Sequence, residues 1–199
     1  MAQKITLSFV LLLLMTSTTF GQYSMEITAG YNIPISTDFK GHFQNGYGGN
    51  MEIIYDINES GLAVSVLFGL NGFSAQKSYE EELAENNSTL FNYDYKINYY
   101  SFPLLLQAKY TLFNEKEFQL TGGFGLGMEF MEQKEKQTGE FTSDYRKEKF
   151  NEFAIYPNIG LSYHLAEGIN AVLKSGFHQT FGKKSLSYID LRLGIIYKI

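Results

Sequence analysis

The side chains of this chain best suited to acid–base chemistry are its three histidines, His42, His164 and His178. A hydrolase or acyltransferase also needs a serine or carboxylate within hydrogen-bond reach of the histidine. Ser175 precedes His178 by three residues, and residues of opposite parity in a strand face opposite sides, so these two side chains cannot meet. We therefore expect no enzymatic activity and a hydrogen-bonding role for His178.

Charged residues also recur at alternating positions, on the polar side of apolar–polar repeats. Acids and bases nearly balance among them. If this polar face lines a narrow interior, its charges must be paired and hydrogen-bonded, because an unpaired buried charge is costly. The predicted interior charge network consists of Glu26, Glu52, Asp56, Lys109, Glu129, Lys174, Asp190, Arg192 and Lys198.

The remaining motifs predict no cofactor and no metal site. The glycine-rich stretch 122–127 lacks the spacing, the following lysine and the following helix of a nucleotide-binding loop. The acidic run Glu80–Glu82, with Glu85, is interpreted as a solvated loop with one helical turn, or as a site for a divalent cation. The absence of cysteine excludes disulfides, thiolate metal sites and a lipoprotein anchor.

These side chains must be positioned by strands, because apolar and polar residues alternate with period two in about eight segments. Ile189, Leu191 and Leu193, for example, alternate with Asp190 and Arg192. Without helical stretches between the segments, this pattern predicts an all-β fold, an eight-stranded antiparallel up-and-down barrel. The predicted strands are 22–34, 46–57, 62–71, 98–112, 118–130, 153–165, 169–178 and 186–199.

The connections between the strands predict how the barrel is oriented. Short turns at 58–61, 113–117 and 166–168 alternate with long polar loops at 35–45, 72–97 and 131–152, and with an intermediate one at 179–185. Short turns at one end and long loops at the other are typical of an outer-membrane barrel, with both chain ends on the periplasmic side. The charged stretch 132–149 is predicted to form a hairpin above the membrane.

Aromatic residues recur eight positions apart on one face of several strands, as in Tyr23 and Tyr31. Eight residues at ~3.4 Å each, tilted by about 40°, span roughly 21 Å, close to the ~25 Å apolar band between aromatic girdles. A soluble barrel with its apolar face inward gives no reason for this spacing. The predicted girdle residues are Tyr23, Tyr31, Tyr47, Tyr55, Phe102, Tyr110 and Tyr197.

An interior of only eight strands is just wide enough for side chains, so we expect a filled lumen and no wide pore. A β-hairpin centred near Gly182 would set Lys174 opposite Asp190, with both side chains inward. This pairing is a prediction of strand register.

The first residues resemble a secretion signal, with Lys4 before an apolar run from Ile5 to Met15. We therefore assign residues 1–21 to a signal peptide and 22–199 to the barrel domain. The formal net charge is −5, with lysine and arginine scattered along the chain, so we expect no nucleic-acid partner. The predicted environment is outer-membrane lipid.

The stretch Tyr99–Tyr110, with Phe102-Pro103-Leu104-Leu105-Leu106 at its centre, resembles the tyrosine–x–x–hydrophobic–Pro–Leu–Leu–Leu pattern of PorT-like outer-membrane barrels from Bacteroidetes-type envelopes. The glycine-rich fifth segment and the Gly194–Ile199 end are similar as well. The sequence departs from that pattern at Ser101, where an acidic residue is common, and at Gln107-Ala108. The resemblance implies an eight-stranded barrel with periplasmic termini and no transferable catalytic residues.

We expect a non-enzymatic membrane anchor, surface-binding protein or accessory subunit of an envelope or secretion complex that acts through its long loops. The alternatives are a narrow channel for ions or small solutes and a lipid-modifying enzyme that uses His178. Loop aromatics would form either a binding surface or internal packing; they are Phe73, Tyr79, Phe91, Tyr93, Tyr95, Phe141 and Tyr145.

Overall fold

A computed structural model describes residues 21–57, 60–87, 93–139, 143–182 and 185–199. Apart from Gly21, the predicted signal peptide lies outside these residues, as do Phe91, Phe141 and the side chain of Tyr93. The described strands are β1 Gly21–Pro34, β2 Gly46–Ile57, β3 Leu62–Ser74, β4 Tyr93–Asn114, β5 Phe118–Gly139, β6 Ser143–Ala166, β7 Ile169–Phe181 and β8 Ser187–Lys198. Helices α1, Thr37–His42, and α2, Lys77–Asn87, follow β1 and β3.

The eight strands form a closed antiparallel barrel in which each strand pairs with its neighbours in sequence and β1 pairs with β8. The predicted up-and-down barrel is confirmed. Gly21, Lys198 and the short connections lie at one end, called the turn end here; the long connections lie at the other, the loop end. Gly61 and Gly168 have φ of 74° and 73°, a left-handed conformation that glycine adopts without strain in tight turns.

The barrel is apolar outside and mainly polar inside. Along β3, Val64, Val66 and Phe68 are exposed, whereas Ser65 and Asn71 are buried. A soluble protein distributes its residues the other way round, and an apolar outer band is what a strand presents to lipid. Neither helix in the described part of the chain is long and apolar enough to span a membrane.

Five strands, β3 to β7, extend further at the loop end than the alternation predicts. β5 and β6 continue in register beyond the apolar band, with Lys134 opposite Lys147 and Thr138 opposite Ser143. The 132–149 hairpin is thus confirmed. The other boundaries differ because the outward apolar alternation stops above the lipid while backbone pairing continues. There, β5 and β6 are mostly polar on both faces, and in β4 the apolar residues Tyr95, Ile97 and Tyr99 face inward and are buried.

The expectation of irregular polar loops at 35–45 and 72–97 is wrong in part. Residues 37–42 form α1, and 77–87 form α2, which has 11 residues rather than a single turn. The apolar side of each helix is short and packs on neighbouring loops and strand ends, so the local sequence carries little helical periodicity.

Candidate functional site

One ionic group inside the barrel consists of Glu26, Glu52, Lys109 and Lys174, called the charge quartet here. Each residue lies five positions from the turn-end limit of its strand, on β1, β2, β4 and β7 respectively. Glu26 and Glu52 are directly opposite each other on adjacent strands. Like charges in that position repel, so both lysines are needed beside them.

The two lysines cross the lumen and each binds both carboxylates. Lys109 Nζ lies 3.3 Å from Glu26 Oε2 and 2.9 Å from Glu52 Oε1, and Lys174 Nζ lies 2.9 Å from Glu26 Oε1 and 2.5 Å from Glu52 Oε2. The Ser65 hydroxyl also donates to Glu52. All four charges are buried and cancel, which is the arrangement in which buried ions are tolerated.

A second interior group, called the His178 cluster here, contains Glu129, Tyr156, His178, Asp190 and Arg192. The His178 ring stacks on Tyr156 with 4.0 Å between centroids, and its Nε2 lies 3.6 Å from Asp190 Oδ2. Tyr156 donates to both Asp190 oxygens, and Arg192 Nε lies 3.2 Å from Asp190 Oδ2. His178 is fully buried, so no substrate reaches its ring in this conformation.

Arg192 is held by amides as well as by Asp190. Its Nη2 donates to Asn32 Oδ1 at 2.7 Å and to Asn71 Oδ1 at 2.6 Å, and the Asn71 amide donates to the Tyr188 hydroxyl. The strands that carry these residues, β1, β3 and β8, are thereby tied together across the lumen.

The predicted opposition of Lys174 and Asp190 is wrong. Lys174 is opposite Arg192, and Asp190 is opposite Gly176, so the β7–β8 hairpin is centred one residue later than expected. Both side chains do point inward, but they belong to different groups. In so narrow a barrel a long side chain reaches across the lumen, so the neighbouring strand does not determine its partner.

Asp56 and Lys198 lie outside both interior groups. They line a cavity of about 350 Å³ at the turn end, which also includes Lys109, Gln119 and Asn170. The charge quartet forms the inner limit of this cavity, since Lys109 belongs to both. The barrel is therefore open from the turn end only as far as the quartet.

The loop end is closed by a different kind of contact, called the apolar cap here. Phe39 of α1 packs on Phe43, Phe73 and Tyr99, with centroid distances of 4.6, 5.0 and 5.2 Å. Tyr188 stacks on His178 at 4.5 Å and joins the cap to the His178 cluster. The buried cap residues are Phe39, Phe43, Phe73, Ala75, Ile97, Tyr99, Met131, Leu186 and Tyr188.

The sequence interpretation missed the interior tyrosines and the glycines that make room for them. A Cβ on Gly176 would lie 2.1 Å from the Tyr156 ring, so this glycine provides the space that the ring fills. Tyr156 and Tyr188 have inward parity in β6 and β8, and that parity is the signal that could have found them. A prediction of the interior that considers mainly charged residues does not include these uncharged rings.

The predicted girdle residues lie on the lipid-facing surface. Tyr23 packs at a tilt against Tyr55, and Tyr31 packs edge to face against Tyr47, each pair with 5.2 Å between centroids. These pairs lie towards the turn end and the loop end respectively. Phe102, Tyr110 and Tyr197 are exposed. Two further outward pairs were not predicted: Phe118 with Tyr163, and Phe153 with Phe181.

The other candidate residues have local partners. His42 stacks on Tyr79 at 4.1 Å, and His164 Nδ1 lies 3.1 Å from Asn170 Oδ1. Glu80 of the acidic run accepts a hydrogen bond from the Ile97 amide. The residues described include no group of three acidic or histidine side chains arranged to hold a metal ion.

Loop aromatics divide between the two roles considered for them. Phe73 and Tyr95 are buried and serve internal packing, whereas Tyr145 is exposed. Tyr145 belongs to the part of β4, β5 and β6 that rises beyond the apolar band, called the loop-end sheet here (residues 93–98, 132–139 and 143–151).

Glu132 holds together the base of the loop-end sheet. It lies 2.8 Å from Lys147 Nζ and 3.2 Å from Lys134 Nζ, and those two lysines are opposite each other on β5 and β6. The hydrogen bond from Lys147, with Lys134 beside it, holds the pKa of Glu132 below its usual range. The ammonium of Lys134 also lies 4.6 Å from the centre of the Tyr100 ring.

Comparison with known proteins agrees with this architecture. A family described as outer membrane protein beta-barrel domain matches residues 7–198. Among curated proteins, none matches the sequence.

Similar solved structures are membrane barrels of low sequence identity. A major outer membrane protein from Thermus thermophilus is 14% identical, with a TM-score of 0.59 over 90% of this chain and 99% of that one. Neisserial surface protein A is 12% identical, with a TM-score of 0.53 over 89% and 97%. The outer membrane protease OmpT from Escherichia coli is 9% identical, with a TM-score of 0.51 over 92% and 100%. At these identities the likeness concerns the fold alone.

Proposed function

This chain belongs to the outer membrane protein beta-barrel domain family, and from that premise we propose a non-enzymatic barrel that works through its loop end. It would act in the outer membrane as an anchor, a surface-binding protein or an accessory subunit of an envelope or secretion complex. One observation carries the proposal: the lumen is filled by the charge quartet, the His178 cluster and the apolar cap, while an ordered sheet and helix project beyond the lipid.

The ordered loop end supports a role in binding. Residues 143–149 of β6 are all exposed, and they carry both charges and the Tyr145 ring. Aromatic and arginine side chains such as Tyr145 and Arg146 are enriched at protein interfaces. A rigid sheet also loses less conformational freedom on binding than a loose loop does.

The finer assignment to PorT-like barrels is part of this proposal. It rests on the Tyr99–Tyr110 stretch, in which Tyr99 and Leu105 are buried while Leu104 and Leu106 face outward. A place in a secretion complex follows from that resemblance alone.

The burial of His178 supports the non-enzymatic assignment. Its two ring nitrogens lie between Asp190 and Glu129, at 3.6 and 3.9 Å, and Tyr188 covers the ring on the side of the apolar cap. A lipid-modifying enzyme would need an opening to this ring. If overexpression of the protein altered the outer-membrane lipid composition and His178→Ala abolished that change, the lipid-modifying enzyme would replace the function we favour.

The test of the proposed function is trimming of the loop end. Residues 76–92 and 133–147 would be replaced by short turns, separately and together, with a substitution of the 114–117 turn as the control at the opposite end. Partners that co-purify in mild detergent would be identified for each variant, and heat modifiability would show that the barrel has formed. We expect the trimmed, folded variants to lose partners that the control retains; identical partner sets would contradict the proposal.

A narrow channel is the second candidate, favoured by the cavity of about 350 Å³ at the turn end. Several buried polar atoms between the quartet and the His178 cluster, including both ends of the Asn50 amide and Gln107 Nε2, have no hydrogen-bond partner among the residues described. Buried polar groups of this kind are commonly satisfied by water. Single-channel recording on reconstituted protein decides between the candidates: a reproducible current would favour the channel.

A further inference from the structure

A cleft of about 540 Å³ lies on the outer surface of the barrel at the loop end, between the β1–β2 hairpin and α1. Its lower part is apolar and aromatic, and its upper part carries amides and a lysine. The lining residues are Tyr31, Ile33, Pro34, Ile35, Lys40, Phe43, Gln44, Asn45, Tyr47 and Gln76. The cleft therefore has one apolar side and one polar side at the height where lipid meets water.

Both walls of the cleft are fixed by hydrogen bonds. On one side, β1 and β2 are paired up to Asn32 and Gly46. On the other side, the Gln76 side chain donates to the backbone carbonyl of Lys40 at 2.6 Å, and the backbone N–H of Gln44 donates to the backbone carbonyl of Ser74 at 2.8 Å. The cleft is thus formed before any ligand arrives.

The apolar part continues the lipid-facing surface of the barrel. Ile33 and Ile35 are each 40% exposed, and Tyr47 is 73% exposed with its ring edge against Tyr31. A hydrocarbon chain that follows this surface would remove these side chains from the boundary with water, which is favourable by about 25 cal/mol per Å² of apolar area.

The charged residue in the polar part of the cleft is Lys40. Its side chain is exposed and forms no ion pair with any carboxylate among the described side chains, whereas Lys109, Lys134, Lys147 and Lys174 are each paired. An ammonium group held above an apolar surface is complementary to a phosphate that is attached to hydrocarbon.

We propose that this cleft binds a lipid whose phosphate headgroup carries a net negative charge, from the membrane leaflet that surrounds the loop end. The phosphate binds Lys40, and an acyl chain runs down over Ile33, Ile35 and Tyr47. The site stands independently of the proposed loop-end partner, because the residues that would contact the lipid, Ile33, Ile35, Lys40 and Tyr47, lie outside the loop-end sheet and outside both trimmed segments.

The experiment is native mass spectrometry of the full barrel in detergent, titrated with dioleoyl phosphatidic acid, with dioleoyl phosphatidylcholine as the zwitterionic comparison. Lys40→Glu is the test variant. Lys116→Glu is the matched control, because Lys116 is an exposed lysine in a turn at the opposite end. We expect Lys40→Glu to weaken phosphatidic acid binding about tenfold, which corresponds to ~1.4 kcal/mol, because a carboxylate replaces the ammonium that binds the phosphate. Lys116→Glu should bind like the unchanged protein.

Equal binding by the two charge-reversed variants would overturn the proposal. So would equal affinity for the two lipids, or displacement of phosphatidic acid by inorganic phosphate at matching concentration, which would indicate a site for free phosphate. Lys40→Met serves as a second variant if the charge reversal prevents folding. Tyr47→Ser tests the apolar wall, and we expect it to weaken both lipids and to leave the preference for phosphatidic acid in place.

Discussion

The charge quartet and the apolar cap close the same barrel by opposite means. The quartet lies within the strands, where inward positions are set by alternation, and its four buried charges satisfy one another. The cap is assembled largely from rings carried by α1 and by strand ends above the lipid. The lumen within the membrane thus follows from strand periodicity, whereas its cover depends on contacts that no periodicity describes.

Removing one charge from the quartet should have the largest effect. Lys174→Met leaves Glu26 and Glu52 opposite each other with Lys109 alone between them, and breaking a buried pair in this way costs about 3–5 kcal/mol. The free energy of unfolding, from urea titration in lipid vesicles, is the measurement. The double variant Glu52→Gln/Lys174→Met should regain part of that loss. If its free energy of unfolding fell by more than the sum of the decreases in the two single variants, the four residues would not act as a unit.

The second-largest loss of stability is expected from a substitution that lies between the charge quartet and the apolar cap. Gly176→Ala places a Cβ against the Tyr156 ring, and overpacking of this kind costs about 1–3 kcal/mol. Gly72→Ala is the matched control, because its nearest neighbour would be a Tyr100 ring atom at 3.8 Å. The same urea titration compares the two; equal stability would mean that Tyr156 moves aside freely.

The cap should respond more weakly and more locally. Phe39→Leu keeps an apolar side chain but loses its ring contacts, which are worth about 1 kcal/mol. We expect a small decrease in global stability and faster protease cleavage near α1 in reconstituted protein. Phe130→Leu, which changes a ring that faces lipid, should leave the cleavage rate unchanged; similar rates in both variants would contradict a closed cap.

The smallest effect is expected at the base of the loop-end sheet. Because the pKa of Glu132 is lowered in the folded protein, its contribution to stability is present above the ordinary value of 4.5 and is lost as the pH falls through the lower folded value. The protection of the amides in the 132–149 hairpin, which is the exchange rate relative to the intrinsic rate at the same pH, should therefore decrease in acid, below pH 4.5. Lys147→Gln should weaken this pH response, and an unchanged response would assign it to other groups.

The fold could be predicted from sequence because each strand carries its own alternation of apolar and polar residues. The predicted and observed boundaries of β2 agree at both ends, and those of β8 differ by one residue at each end. For the interior, the sequence predicts which residues face inward but not which of them are in contact. Which residues meet across it depends on side-chain length and on the β7–β8 register, so the predicted partner of Lys174 is wrong. The cap could not be predicted, because Phe39 and Phe43 lie in a stretch with neither the length nor the periodicity of an evident helix.

The composition of the charge quartet also restricts the order in which the protein can assemble. Its members come from the first, second, fourth and seventh strands, so no partial barrel that lacks β7 can satisfy both glutamates. A half-formed sheet placed in hydrocarbon would expose those carboxylates, at a cost of several kcal/mol for each unpaired ion. The strands therefore cannot enter the lipid one after another: the ring must close, or nearly close, while water still reaches its interior.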